Sequence, residues 1–301
     1  MLPPMALRYV VLDFDGTCTQ IDLVHAGFLA SYRESLEDAN GHARGRLEDA
    51  WQAAMTQVRG ASPNAGWTLF GAPSTAPAAA DPYILASEAS ALLERQGAIR
   101  RVPWEAYARA YAANPAPWRP EVPEVLAALV ERGLQVGFIS NSARSGIATR
   151  LTELLGGHRA LRDQIAVHGD AAKYRLGELP VGATGPGAVH RAEFEKLDGA
   201  VRAEGLTRPI YLRRGSYFEA LCGLWTELGA KDYAIAETLV CGDIWELDLA
   251  MPRALGAHVH LIRRAAPYDT YPYELAQLAS PDDASWDLHG LIDHVDRLQR
   301  M

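Results

Sequence analysis

Two aspartates stand one residue apart, Asp13 and Asp15, directly after the apolar run Tyr9–Leu12 and directly before a turn residue, Gly16. Carboxylates this close can hold a hard cation such as Mg2+ through oxygen. They can also divide the work of phosphoryl chemistry, one attacking phosphorus and the other moving a proton to the departing oxygen. The same residues make an ordinary turn at a strand end, because Asp and Gly favour turns. The other polar tips of the chain decide between these uses.

Two such tips follow. The run Leu134–Ile139 ends in Ser140-Asn141-Ser142, ahead of a helical pattern at Ile147–Leu155. A hydroxyl and the N–H groups of a helix start suit phosphoryl oxygens, and helix capping uses the same residue types. The run Thr238–Cys241 ends in Gly242-Asp243, with Asp248 five positions farther on, close enough for one loop to bring both carboxylates toward Asp13. Arg213 and Arg214 open a helix with apolar positions at Phe218, Leu221, Leu224 and Trp225, where a guanidinium can hold an anion or simply face solvent. His258 and His260 alternate along a strand pattern and, with no third ligand in view, read as strand-face residues rather than a metal pair.

The elements that must position these residues are legible from periodicity. Short, continuous apolar runs at Tyr9–Leu12, Leu134–Ile139, Thr238–Cys241 and His258–Ile262 suit buried parallel strands, and helical patterns separate them, as in an α/β fold. Ligands of an open parallel sheet bind beyond the carboxyl ends of its strands, which puts Asp13, Asp15, Ser140 and Asn141 on one edge. Between the first two runs, helical spacing recurs at Ile21–Tyr32, Leu47–Val58, Tyr83–Arg95 and Trp104–Ala112, with Trp51, Trp104, Tyr107 and Tyr111 reading as packing aromatics. Ala61–Ala80, rich in Gly, Pro, Ser and Ala, is expected to be a mobile loop, and Asn114–Pro123, with four prolines, a stiff crossing. Residues 156–206 are irregular. Short strands are expected at Ile165–His168 and Tyr174–Leu176, a loop at Gly182–Gly187 without a phosphate-loop pattern, and a helix over Glu193–Glu204. A further strand is expected at Pro209–Leu212 and a closing helix around Leu288–Leu298.

At 301 residues, 49% hydrophobic and 22% charged, the composition is that of a globular protein of one large or two modest domains. The formal charge of -8 argues against a surface built for nucleic acid or anionic lipid. Three widely spaced cysteines, Cys18, Cys222 and Cys241, fit reduced thiols, and Cys18, with no paired histidine, reads as a packed one. The leading M-L-P-P-M-A-L-R lacks an apolar h-region and a cleavage site, and no run reaches membrane-spanning length, so a soluble cytoplasmic protein is expected.

Taken in order, D-x-D-G-T at 13–17, S-N at 140–141 and G-D-x-x-x-x-D at 242–248 resemble the signatures of the haloacid dehalogenase-like hydrolases, as do the lead-in Pro123–Gly133 and A-L-G-A at 254–257. The resemblance implies a Rossmann-like parallel sheet core with helices on both faces, over residues 1–21 and 120–301, and a mainly α-helical cap over 22–119. It implies Asp13 as nucleophile and Asp15 as acid/base, with Mg2+ held by the Asp13 carboxylate, the Asp15 backbone carbonyl, Asp243 and Asp248. Gly16, Thr17, Ser140 and Asn141 would surround the phosphoryl group.

The family's third signature is a cation, usually lysine. Arg214, twenty-nine positions before Asp243, is the preferred match here. Its rival Lys173, thirty-three positions after Ser140, reaches the pocket only if its connection folds back over the strand tips. The implied activity is Mg2+-dependent hydrolysis of a small phosphoric monoester through an aspartyl-phosphate. Asp15 argues against dehalogenation, which has no alkoxide to protonate. The alternative is a catalytically weak module that binds a phosphorylated ligand or a protein partner; the intact set Asp13, Asp15, Ser140 and Asp243 favours the enzyme.

Overall fold

The computed structural model describes residues 6–179 and 184–300. Among the described residues eight strands form, β1 (Tyr9–Leu12), β2 (Gln135–Ile139), β3 (Ile165–His168), β4 (Ala200–Val201), β5 (Ile210–Tyr211), β6 (Thr238–Gly242), β7 (His258–Ile262) and β8 (Ala284–Ser285). Six of them make one parallel sheet in the order β3-β2-β1-β6-β7-β8, an α/β, Rossmann-like core. The chain runs outward one way from β1 and then, after β6, the other way, so the switch point where such sheets bind ligands lies between β1 and β6. In register, Leu12 lies level with Phe138 on one side and Cys241 on the other, which brings the three polar tips to one height.

Successive residues of β1 serve opposite faces, as the period of two requires. Val10 and Leu12 pack with α5 (Val122–Glu131), α6 (Arg144–Leu155) and α13 (His289–Gln299). Tyr9 and Val11 pack with α10 (Gly215–Glu227) and α11 (Ala250–Leu255). The short helices α7 (Arg159–Arg162), α8 (Pro186–Val189), α9 (Arg191–Glu195) and α12 (Pro272–Ala276) lie in the connections.

Between β1 and α5 the chain builds α1 (His25–Asn40), α2 (Glu48–Ala61), α3 (Pro82–Arg95) and α4 (Trp104–Ala113) around an apolar cluster that includes Phe28, Leu36, Trp51, Leu85 and Ala110 and that Tyr268 joins from beyond β7. The chain enters and leaves this unit side by side: Thr19 bridges Trp118, Gln20 N–H donates to Pro117 O (2.8 Å), and Arg119 N–H donates to Cys18 O (2.9 Å).

Several expectations change. The segment 61–80 is not a free loop: Ser74, Thr75, Ala76 and Ala80 are buried, and Ala76 and Ala80 pack on Ile244 and Leu247, because small side chains let the backbone approach closely. Tyr174–Leu176 is not a strand; only Gly177 bridges to Arg214. The expected helix over Glu193–Glu204 stops at Glu195, and the chain turns into β4, which pairs with β5 in a separate two-stranded ribbon. Pro209–Leu212 therefore adds nothing to the main sheet. Trp104, expected to pack, is 75% exposed. Residues 182–183 of the glycine-rich loop lie outside the described residues. Among the described residues, no helix is long and apolar enough to cross a membrane.

His260 is buried on β7, with Nδ1 3.2 Å from His294 Nδ1 and Nε2 2.8 Å from Ser285 Oγ. Burial pushes His260 down to about 3 and His294 down to about 4, so both rings fold neutral. Their unfolded counterparts take up protons first as pH falls, so this stability is complete above about pH 6.5 and is lost on acidification toward the folded values. The stability gap between wild type and His294→Gln, measured by denaturant titration, should therefore shrink by about 1–2 kcal/mol from pH 7 to pH 5, since only the wild-type ring must stay unprotonated. A gap that is constant or widens would contradict the neutral pair.

Candidate active site

At the end of β1, Asp13 N–H donates to Cys241 O (2.9 Å), continuing the ladder one residue past the strand and fixing the buried Asp13 beside β6. Phe14 turns into the core against Trp118 and Phe138, so Asp13 and Asp15 share the sheet edge. Gly16 has φ of 85°, and a Cβ there would lie 2.4 Å from Asp243 Oδ2; only glycine lets this turn pass the second acidic tip. The Thr17 hydroxyl lies 3.2 Å from Asp13 Oδ2 and 3.4 Å from Asp243 Oδ1. Arg119, from the returning connection, clamps the turn by donating to the carbonyls of Gly16 and Thr17.

Asp243 follows β6, and Asp248 arrives through a π-helical turn, Trp245–Leu249. A Cβ at Gly242 would lie 2.3 Å from Asp248 Cβ, so glycine at the strand end is what lets this turn fold back. Asp248 Oδ2 accepts from Ile244 N–H (3.0 Å). Arg264, itself paired with the buried Glu274, donates to the Asp243 carbonyl.

The cation on Asp13 is Lys173. Its Nζ lies 2.5 Å from Asp13 Oδ1 and 2.5 Å from Asp248 Oδ1, with all three side chains buried. The connection after β3 does fold back over the strand tips: Asp170 and Ala171 N–H groups donate to the carbonyls of Ser142 and Ser140, and Lys173 N–H donates to Asn141 Oδ1 (2.7 Å). Asp170 and Ala172 adopt left-handed φ values of 54° and 47°, a conformation L side chains rarely take and which these bonds hold.

Arg214, the preferred cation, is elsewhere. Fully buried, it donates through Nη1 to Lys173 O (2.6 Å) and through Nη2 to Thr75 O (2.7 Å), and burial lowers it to about 10. It braces the lysine from behind. The correction follows from topology, since β5 lies outside the main sheet and cannot deliver Arg214 to the edge beyond β1.

Ser140 is buried at the tip of β2, its Oγ accepting from Ser142 N–H (3.1 Å). The Asn141 side-chain oxygen, expected near phosphate, holds the Lys173 backbone instead. Asp15 has two hydroxyl partners that sequence reasoning missed. Ser142 Oγ donates to Asp15 Oδ2 (2.5 Å), and the Tyr111 hydroxyl, from α4, lies 3.1 Å from each carboxylate oxygen and 3.0 Å from Ser142 Oγ. Ser142 stood next to the Ser140-Asn141 tip; nothing in the helical spacing marked Tyr111.

Charge is tightly concentrated here. Burial raises Asp13 to about 7, with Lys173 opposing the shift, and burial raises Asp15 against its two hydroxyl donors. Asp243 is raised well above the carboxylate range by burial and then by the charge of Asp248. Burial works against the Lys173 ammonium, but Asp13 and Asp248 outweigh it and hold it above its ordinary range. Asp13, Asp243 and Asp248 can each offer one oxygen within 4.8 Å of the others, and the buried Asp243 Oδ2 has no partner among the described residues. Three buried carboxylates against one ammonium, all oxygen donors with one left unsatisfied, fit a hard divalent cation. The Asp15 side chain is not in this cluster. Cys18 is buried, and burial holds its thiol well above the ordinary range, so it is no nucleophile.

A family model described as haloacid dehalogenase-like hydrolase matches residues 7–180, a span that contains Asp13, Asp15, Ser140 and Lys173 and stops short of Arg214. Among solved structures, a predicted phosphoglycolate phosphatase from Haemophilus somnus 129pt is similar over 96% of this chain and 97% of its own, at 15% identity and a TM-score of 0.50. A HAD phosphatase from Thermococcus onnurineus (12% identity, 96% and 98% covered, TM-score 0.47) and an L-2-haloacid dehalogenase (16%, 97% and 100%, 0.46) are also similar. At 15% identity the likeness to the first of these speaks for the fold alone. No curated protein matches the sequence.

The two cations should separate on substitution. Lys173→Ala removes the ammonium from Asp13 and should lower turnover of an aryl phosphate about a hundred- to a thousandfold while leaving the protein folded. Arg214→Ala instead strands two buried carbonyls and should cost about 1–3 kcal/mol of stability, read as a lower melting temperature, with the smaller loss of turnover. A larger loss of turnover in Arg214→Ala than in Lys173→Ala, with both proteins folded, would return the role to Arg214.

Proposed function

We propose that this chain, which belongs to the haloacid dehalogenase-like hydrolase family, is a Mg2+-dependent phosphoric monoester hydrolase that acts on a small phosphorylated molecule through an aspartyl-phosphate. The observation that carries the reading is Asp15, a second carboxylate beside the attacking one, held in place by Ser142 and Tyr111. A departing halide needs no proton, whereas a departing alkoxide does.

In this reading the Asp13 carboxylate attacks phosphorus. The ester P–O bond breaks with its electron pair on the ester oxygen, and the carboxyl proton of Asp15 passes to that oxygen to release the alcohol. Water then attacks phosphorus, Asp15 takes its proton, and the bond between phosphorus and the Asp13 oxygen breaks to return the pair to Asp13 and free inorganic phosphate. Lys173 offsets the repulsion between Asp13 and an anionic substrate, and Ser140 with the N–H groups of its loop would receive phosphoryl oxygens. Asp13, Asp243 and Asp248, with the Asp15 backbone carbonyl, would hold Mg2+, which when bound supplies charge stabilisation to the phosphoryl group. Residues 22–119 serve as a cap that selects the substrate, over a core of 1–21 and 120–301. The three free, buried thiols support a reducing compartment, the cytoplasm.

Two measurements test this reading. Excess EDTA should abolish hydrolysis of p-nitrophenyl phosphate and added Mg2+ should restore it; full turnover in EDTA would sink the mechanism. Asp13→Asn should abolish both turnover and the acid-stable phosphoprotein trapped by quenching wild type during turnover, and a phosphoprotein that survives the substitution would move the nucleophile elsewhere.

A further inference from the structure

The carboxylate of Asp15 is fixed from two sides that belong to different parts of the molecule. Among the described residues the core supplies one side-chain hydrogen bond, from Ser142 Oγ at 2.5 Å from one oxygen, and a single bond leaves the carboxylate free to turn about it. Asp15 is also the less buried of the two catalytic aspartates. The plane of its carboxylate is set by the Tyr111 hydroxyl, 3.1 Å from both oxygens. The Tyr111 ring in turn packs among rings of the helical unit. It stacks on Tyr107 (centroids 5.9 Å, planes 16° apart) and leans on Tyr83 (5.5 Å), whose ring meets Phe28 edge-on at 4.8 Å. Tyr111 lies in the last turn of α4, three residues before Asn114, where the chain starts back toward the core. A rotation about the paired connections at 18–20 and 117–119 would carry α4 relative to Asp15 and Ser142, and about 1 Å of displacement would end a 3.1 Å hydrogen bond.

We propose that Tyr111 is a positioning residue that makes proton transfer by Asp15 conditional on cap closure: the phenol holds the acid/base carboxylate in its working orientation only while the helical unit lies over the site. The inference rests on the phosphomonoesterase reading above and adds to it a coupling between cap and chemistry. A proton donor out of place by about 1 Å loses up to about a hundredfold in rate, and the loss falls on substrates whose leaving oxygen needs the proton.

Tyr111→Phe removes the hydroxyl and keeps the ring stack. With Mg2+ present, it should lower kcat/KM, which reads only the steps through phosphorylation of Asp13, about ten- to a hundredfold for an alkyl ester, glycerol 2-phosphate, and no more than about threefold for p-nitrophenyl phosphate. In an Asp15→Asn background the substitution should no longer alter the alkyl-to-aryl ratio, because the residue it acts through is gone. Ser142→Ala, which leaves the cap rings untouched, is the second variant and should show the same leaving-group signature. Hydrogen exchange at residues 114–119 should quicken in Tyr111→Phe, as a bond between cap and core is lost.

Equal losses on both esters, no loss on either, an undiminished effect in the Asp15→Asn background, or unchanged exchange would each overturn the proposal. Wild-type protein that hydrolyses neither ester with Mg2+ would overturn the phosphomonoesterase reading and this proposal with it. That outcome is seen before any variant is made, and so is distinct from a failure of Tyr111 alone.

Discussion

Three carboxylates buried within a few ångströms of one another, Asp13, Asp243 and Asp248, share a single ammonium, Lys173. Removing charges from water costs several kcal/mol per ion unless partners are in place, so this cluster is unfavourable to fold and persists because the surrounding structure fixes each member. Lys173 neutralises part of the excess. The remainder, concentrated where Asp243 Oδ2 has no partner among the described residues, suits a hard divalent cation.

Much of the neighbouring structure serves to keep that lysine and those carboxylates where they are. Ser140, Asn141 and Ser142 bind the backbone of the loop that carries Lys173, and Arg214 takes its carbonyl from the opposite side. Arg264 and Glu274 hold the Asp243 backbone, and glycine at 16 and 242 removes the Cβ atoms that would otherwise keep the two acidic tips apart. A guanidinium aimed at carbonyls does a different job from an ammonium aimed at a carboxylate. Its planar fork reaches Lys173 O and Thr75 O together, which ties the loop that carries Lys173 to the segment leading into α3.

The helical unit is joined to this centre by polar contacts as well as by packing. Thr75 accepts from Arg214, Tyr111 reaches Asp15, and Ala76 and Ala80 lie against Ile244 and Leu247 beside Asp243. A segment whose composition suggested a free loop thus forms part of the wall of the site. Small residues read as flexible in a sequence, but they also allow the closest approach of one backbone to another, and here they do the latter.

The sequence by itself determined the sheet and its edge. Tyr9–Leu12, Leu134–Ile139 and Thr238–Cys241 are apolar on both faces, which suits parallel strands covered on both sides, and the polar residues that follow each run had to emerge at the carboxyl edge. Asp13, Asp15, Ser140 and Asp243 were therefore readable as neighbours, because strand pairing in register turns position along the chain into height in the sheet. Tertiary structure alone decided which cation faces Asp13 and which residues hold Asp15. Lys173 arrives through a connection that doubles back with left-handed residues at Asp170 and Ala172, Arg214 follows a strand that pairs outside the sheet, and Tyr111 reaches the site by the docking of one unit on another. None of these placements has a period. Each depends on contacts between segments far apart in the chain, whereas the strand tips depend on a repeating pattern that local sequence records.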